Sequence, residues 1–275
     1  LGRAPIASDK ILFDGRFSSA SCIWDAAAVD TVASWKQESS YTGTVTFNTE
    51  FPDFENAVFT LFTISGDCSI EGGQWSCRGN YNNFGVTATP MNTYMLSKQY
   101  CLNVAVGGEM NIAEGASIIA TGRGYGFPTA NYNVSQSYGG FTHEGKTSPY
   151  GSIKEPFDLG MGCSSQSDQK NQISGIGGGA IKLTIGGELI NNGSIVALGT
   201  IDKNVPRSGG TGGSIWIVAE QISGSGKIDA SACPSTEFKS DQAVSVGSGG
   251  RIAIYTDAPL QLPVENIACS GMAYS

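Results

Sequence analysis

The sequence has few charged residues and a single histidine, His143. Charged residues make up 15% of its 275 residues, against roughly 25% in an average globular protein. There are seven cysteines, but no two are spaced as Cys-x-x-Cys. The closely spaced Cys or His ligands of a structural zinc site are therefore missing. We predict no metal and no cofactor.

Long apolar runs are also missing, and positive charge is scarce. No apolar run approaches the ~18 residues that indicate a membrane helix, so we predict no membrane insertion. The net charge is −8 and the isoelectric point is near 4.7, which argues against nucleic acid as a partner. The chain begins at Leu1 without a signal-peptide pattern, so we expect it to have been processed or cut from a longer protein.

Glycine is abundant, at 38 of 275 residues, about twice the ~7% average. Glycine clusters precede copies of an internal repeat: alternating apolar residues, a turn, a glycine-containing corner, then apolar-x-Ala. Copies occupy 102–120, 180–197 and 214–230, and a fourth begins at Arg251. Ile181, Ile215 and Ile252 hold equivalent places in three of them. A repeated two-strand unit predicts a repeat architecture.

The physics of the repeat indicates how its copies pack. Alternation places every second apolar residue on one face of a strand, and one such unit cannot bury that face alone. Stacked units would pile equivalent side chains into columns. We predict an all-β fold, a right-handed parallel β-helix over 41–275 with long glycine-rich loop excursions and a dry aliphatic interior. The alternative is an antiparallel β-sandwich.

Residues 1–40 are predicted to form an N-terminal arm or cap. A short helix is expected over 25–35, with Asp25 as its N-cap and Val29, Val32 and Trp35 on one face.

The longest excursion, 122–175, carries aromatic residues that we expect either to cover the side of the solenoid or to contact a neighbouring subunit or glycan.

Cysteines and sequons together indicate an extracellular protein. Scattered cysteines without metal spacing favour disulfides in an oxidising compartment. Cys68 and Cys77, which bracket the Gly72-Gly73 turn, are the best disulfide candidates. The odd count leaves one cysteine free or bonded to another chain. Asn133 and Asn192 each begin an Asn-x-Ser triplet, so both are predicted to carry covalent N-glycans.

Several sequence segments resemble those of the glycine-rich β-helical surface proteins of protists, including the mastigoneme proteins of flagellar hairs. The resemblance rests on Gly-Gly-Ala-Ile-Lys-Leu at 178–183, Gly-Gly-Ser-Ile-Trp-Ile at 212–217, Gly-Ser-Gly-Lys-Ile-Asp-Ala at 224–230, Gly-Gly-Arg-Ile-Ala-Ile-Tyr at 249–255, Gly-Arg-Gly-Tyr at 122–125 and Tyr-Gly-Ser at 150–152. It covers roughly 100–257. Cysteine-rich EGF-like modules, which often follow such modules in that family, are not seen here. The resemblance implies a subunit of a flagellar or cell-surface filament.

A parallel β-helix is also a scaffold for polysaccharide-cleaving enzymes, which need converging carboxylates. Asp202, Asp229 and Asp257 lie near strand ends and are interpreted as solvated surface carboxylates. Lys182 and Arg251 are isolated, and no catalytic residue is predicted. We therefore predict a non-enzymatic structural subunit of an extracellular glycosylated filament. Its partners would be copies of itself or related filament subunits, joined through solenoid ends and loops. The alternative is a carbohydrate-active enzyme or a glycan-binding module.

Overall fold

A computed structural model describes residues 3–51, 60–80, 99–126, 138–140, 149–164, 173–201, 209–233 and 247–271. Three parallel sheets dominate it. In spatial order, sheet 1 contains Lys10–Phe13, Ser34–Gln37, Cys68–Ile70, Met110–Ile112, Glu188–Asn191 and Gln221–Ser223. Sheet 2 contains Cys22–Trp24, Thr44–Phe47, Gln74–Cys77, Ser117–Ile119, Ser194–Val196, Lys227–Asp229 and Ile267–Ala268. Sheet 3 contains Thr31–Val32, Phe62–Ile64, Leu102–Val106, Ala180–Ile185, Ser214–Ala219 and Arg251–Thr256.

The chain visits sheets 1, 2 and 3 in that order, and each such passage is one coil. Successive coils pair strand for strand in parallel. The predicted parallel β-helix is therefore confirmed, and the antiparallel sandwich is not what forms. In the part of the chain that the structure describes, the remaining elements are two short antiparallel ladders and one 3₁₀ turn: Glu50–Phe51 with Gln99–Tyr100, Cys163–Ser164 with Ile173–Gly175, and Val264–Asn266. Among the described residues, no helix has the length and apolarity needed to cross a bilayer.

The repeat copies stack in register, as the alternation predicts. Leu102 pairs with Ile181, Ile181 with Ile215, and Ile215 with Ile252. Ile181 and Ile215 are fully buried, whereas Ile252, in the last complete coil, is only partly buried. A parallel column runs two residues further along the same strands, through Val104, Leu183, Ile217 and Ile254.

The interior of the first three coils is aromatic, which the aliphatic prediction missed. Trp35 lies at its centre, with its ring centroid 5.0–5.8 Å from those of Phe13, Trp24, Phe47, Phe62 and Trp75. Rings at such distances pack tilted or edge-on and bury large apolar areas. The solenoid therefore changes from an aromatic core near its N-terminus to an aliphatic one in coils four to six.

A buried glutamine satisfies the indole groups of this aromatic core. The Oε1 atom of Gln37 accepts hydrogen bonds from the Nε1 atoms of Trp35 at 3.2 Å and Trp75 at 2.5 Å. Its Nε2 atom donates to the carbonyl oxygen of Gly72 at 2.8 Å. Because burying a polar group without a partner is costly, this one side chain allows two tryptophans to lie fully inside.

The predicted helix over 25–35 is wrong. Asp25 begins only a single turn, in which its carbonyl oxygen accepts from the N–H groups of Ala28 and Val29. The chain then enters Thr31–Val32 and Ser34–Gln37. β-Branched and aromatic residues favour strands, and stacking on the second coil decides between the two conformations. The strands of the β-helix thus begin at Lys10, within the segment predicted to be an arm or cap.

All the long excursions leave from one corner, between sheet 2 and sheet 3. They span 48–61, 78–101, 120–179, 197–213 and 230–250. Where the excursions return, backbone N–H groups of the glycine clusters bond to the next coil. Gly178 N–H donates to the Thr211 carbonyl oxygen at 2.9 Å, and Gly212 N–H donates to the Ser248 carbonyl oxygen at 3.1 Å. A Cβ atom at Gly212 would overlap the carbonyl oxygen of Ala230, so the glycine clusters permit this close approach.

Candidate functional site

Three parts of the solenoid bear on function: its two ends and the outer face of sheet 3. The C-terminal end is partly closed by a seventh, incomplete coil. The N–H of Gln261 donates to the Ile222 oxygen of sheet 1 at 2.9 Å, and Leu262 is buried in the core. Ile267–Ala268 then adds to sheet 2 beside Lys227–Asp229. Within the described ranges, this seventh coil has no sheet 3 strand.

The strand Arg251–Thr256 consequently has one open edge. Its other edge pairs over six residues with Ser214–Ala219. The N–H of Arg251 donates to Gly213 at 2.9 Å, on the paired side. Because N–H directions alternate along a strand, those of Ile252 and Ile254 face the open edge. No strand of the described chain pairs there, and such edges accept further strands.

The N-terminal end exposes apolar side chains beside its strand edges. Ile6, Leu12, Phe17 and Ile23 are 52%, 58%, 87% and 67% exposed. All four belong to the first coil or the segment leading into it. Single exposed apolar residues are ordinary, but four of them within and just before the first coil favour an interaction at this end.

The outer face of sheet 3 is covered by residues 149–162, which we call the strap. Arg251 Nη1 donates to the Gly151 oxygen, Tyr255 Oη donates to the Lys154 oxygen at 2.7 Å, and Ser214 Oγ donates to the Asp158 oxygen. The described aromatic residues of the long excursion support this cover. Tyr138 bonds Ser214, and Tyr125, Leu159 and Phe157 pack in a second apolar cluster with Cys101 and Ala180. The aromatic residues of the excursion that the structure describes therefore pack against the solenoid, which is the first of the two expectations.

Burial controls the charges beneath the strap. Burial raises the pKa of the Asp158 carboxyl and of the Tyr138 phenol. It lowers the pKa of Lys182, whose ammonium lies 3.8 Å from the ring centroid of Trp216. Asp158 is therefore a buried carboxyl group between the strap and sheet 3, which are joined by hydrogen bonds. Among the described residues, this face does not present the two facing carboxylates that glycoside hydrolysis requires.

The two described carboxylates among those singled out by sequence, Asp229 and Asp257, lie at different corners of the solenoid. Asp229 lies at the end of a sheet 2 strand, with its Oδ2 atom 2.7 Å from the Nζ atom of Lys227. Asp257 is exposed and follows a sheet 3 strand at another corner. Asp202 and His143 lie outside the described residues. No group of three or more His, Cys, Asp or Glu side chains in the described part of the chain could hold a metal ion.

The predicted pairing of Cys68 with Cys77 is wrong. Both thiols are free and buried. Cys68 opens a sheet 1 strand, between Trp35 and Met110 of the neighbouring coils, whereas Cys77 closes a sheet 2 strand beside Phe47. The chain turns a corner between the two strands, so the two thiols lie in different sheets although the residues are near in sequence. Burial raises the pKa of Cys77 to about 12, and a thiol held neutral in this way is unreactive.

Of the two sequons, the structure describes only Asn192; Asn133 lies outside the described residues. Asn192 is exposed at the short corner between sheets 1 and 2. Its Oδ1 atom accepts hydrogen bonds from the N–H of Ser225 at 3.1 Å and from the Ser225 hydroxyl at 3.2 Å.

The sequence did not reveal the open sheet 3 edge, the burial of Leu262 in the core, or that residues 149–162 are the part of the long excursion that lies on sheet 3. The exposed apolar residues of the first coil were visible in the sequence, but only the fold shows that they lie at one end. Compared with known proteins, the chain matches no family model, no curated protein and no solved structure.

Proposed function

We propose that the protein is a structural subunit of an extracellular filament or surface appendage of the mastigoneme type, which assembles through its solenoid ends. The observation that carries the proposal is the difference between the ends. One exposes an open six-residue strand edge, and the other exposes first-coil edges with four apolar side chains.

Strand direction determines the geometry of such assembly. All strands within each of the three sheets are parallel, so the two ends of the rod are not equivalent. A contact that continues the parallel pairing joins the C-terminal end of one copy to the N-terminal end of the next. Such a head-to-tail contact does not close on itself and therefore produces a filament.

The interior suits a mechanical role. Backbone hydrogen bonds between coils run along the rod, and each coil buries its apolar face only against its neighbours. Pulling on the ends therefore loads, at every interface between coils, the backbone hydrogen bonds of all three sheets and the packed core at the same time.

Electron microscopy and sedimentation test the proposal. The purified chain should form thin unbranched rods whose length grows with protein concentration. A monodisperse monomer at every concentration would overturn the filament role. Release of oligosaccharides from pectin-like polymers by that monomer would support the carbohydrate-active alternative instead.

Glycosylation belongs to the same proposal and is tested separately. We expect N-glycans at Asn192 and Asn133 in protein from its native source. Treatment with a peptide N-glycosidase should lower the intact mass and convert both asparagines to aspartate. Unmodified asparagine at both positions would remove this support for an extracellular location.

A further inference from the structure

The position left open beside Arg251–Thr256 is defined by the order in which the chain fills the sheets. The seventh coil occupies the sheet 1 position through Gln261 and the sheet 2 position through Ile267–Ala268. The next position in that order is in sheet 3. A strand that completed the seventh coil would lie at the open edge of sheet 3, parallel to Arg251–Thr256.

The segment before Lys10 has the place in the chain that a sheet 3 strand normally has. A sheet 3 strand precedes each later sheet 1 strand by only a few residues: Val32 is followed by Ser34, and Ala219 by Gln221. By this spacing, Ile6–Ser8 would be the sheet 3 strand that leads into Lys10–Phe13. Asp9 already lies opposite Ala33, the residue between Val32 and Ser34 in the next coil. The N–H of Ala33 donates to the Asp9 carbonyl oxygen at 2.9 Å.

Within its own chain, however, this segment joins no sheet. The N–H of Asp9 donates to the Ile6 oxygen at 2.9 Å, which forms a turn, and an ion pair joins Arg3 to Asp9. Ile6 stays half-exposed. Pro5 has no N–H to donate, which limits a strand here to the residues after it.

On the basis of the proposed head-to-tail filament, we infer that Ile6–Ser8 of a second copy adds as the seventh strand of sheet 3, parallel to Arg251–Thr256. Each position is then filled once: the second copy's Ile6–Ser8 completes the seventh coil, and its Lys10–Phe13 begins the eighth. By the spacing of Val32 and Ser34, Ser8 would pair with Thr256 and Ile6 with Ile254. Ile6 would then extend the column of Ile254, and its side chain would leave solvent. Strand addition of this kind gains affinity from main-chain hydrogen bonds.

Alternation in the added strand identifies the amide that matters most. In sheet 3, side chains that face outward have N–H groups directed at the preceding coil, as Arg251 and Ser214 do. If Ile6 faces inward, Ala7 faces outward, and its N–H points at Arg251–Thr256. Ala7 is exposed in the single copy, so Ala7→Pro removes this donor without disturbing a packed site.

The test uses the whole chain and two readouts. Ala7→Pro should weaken association by about tenfold or more, because a lost hydrogen bond and the clash of the proline ring each oppose pairing. The matched control is Ile153→Ser, which changes an exposed apolar residue on the strap and should assemble like the parent chain. Amide exchange at Ile254 and Thr256, whose N–H groups both face the open edge, should slow on assembly of the parent chain.

A synthetic peptide of residues 1–9 gives a measurement that does not depend on folding of a variant. It should slow amide exchange at Ile254 and Thr256, and the same peptide N-methylated at Ala7 should not. Filaments in which both amides still exchange freely, with Ala7→Pro assembling normally, would overturn the strand addition and leave the filament role intact. Absence of any assembly would overturn both.

Discussion

The stacked aliphatic column makes a quantitative prediction for Ile215→Ala. Ile215 lies between Ile181 and Ile252 and is fully buried. The substitution removes three carbon atoms from the column. The neighbours above and below are held by their own strands, so they cannot move in to fill the space.

The magnitude follows from that geometry. Three buried carbons contribute about 2.4 kcal/mol at ~0.8 kcal/mol each. The remaining cavity adds to this, because rigid surroundings relax only partly, and Ile→Ala changes in such cores span ~2–5 kcal/mol. We expect Ile215→Ala to lower the free energy of unfolding by about 3–4 kcal/mol. Ile252→Ala, at the less covered end of the same column, should lower it by less.

Chemical denaturation followed by tryptophan fluorescence measures both changes. Ile190→Ala is the matched control, because Ile190 lies on the outer face of sheet 1 and is only partly buried. It should change stability by less than about 1 kcal/mol. Equal effects at positions 215 and 190 would refute the column, because the two side chains would then have equivalent surroundings.

Three further predictions concern other parts of the solenoid. Gly212→Ala should abolish folding or lower the melting temperature sharply, because its Cβ would overlap a backbone oxygen, whereas Gly140→Ala, with only a contact at 3.8 Å, should melt like the parent chain. Gln37→Leu should cost about 2–6 kcal/mol in chemical denaturation, because it leaves two buried indole N–H groups without an acceptor at ~1–3 kcal/mol each. Bonds from neighbouring arginines hold the pKa of Asp9 and of Asp14 at about 2, so their stabilisation is complete above the unfolded value of ~3.9 and is lost as pH falls from there through 2. Amide exchange against pH should therefore show the first coil opening before the later coils on acidification; uniform opening would contradict it.

The repeat made the later coils predictable from sequence. Ile181, Ile215 and Ile252 stand at similar spacing, and each follows a glycine cluster, so their stacking could be predicted without coordinates. The earlier coils lack this regularity because excursions of different length leave from the corner between sheets 2 and 3. The strands of these coils stack in register, but the number of residues between equivalent positions varies from coil to coil. The residues of the aromatic core around Trp35 therefore do not recur at a fixed interval in the sequence.

The errors have equally local causes. Asp25 followed by three alanines satisfies the rules for a helix start, but a chain that must pair with the coil beside it becomes a strand. Cys68 and Cys77 are near in sequence, yet they belong to different sheets. A cover from the long excursion was one of two expectations, but its contacts could not be predicted. Contacts such as Tyr138 with Ser214 join residues 76 positions apart, and no repeat reveals them.

Fibre diffraction from oriented filaments tests the central claim most directly. Hydrogen bonds between coils run along the solenoid axis, so head-to-tail assembly aligns the ~4.7–4.8 Å strand spacing with the fibre. A strong meridional reflection at that spacing is the expected result. The same reflection on the equator, which would place the rods across the fibre, would contradict assembly through the solenoid ends.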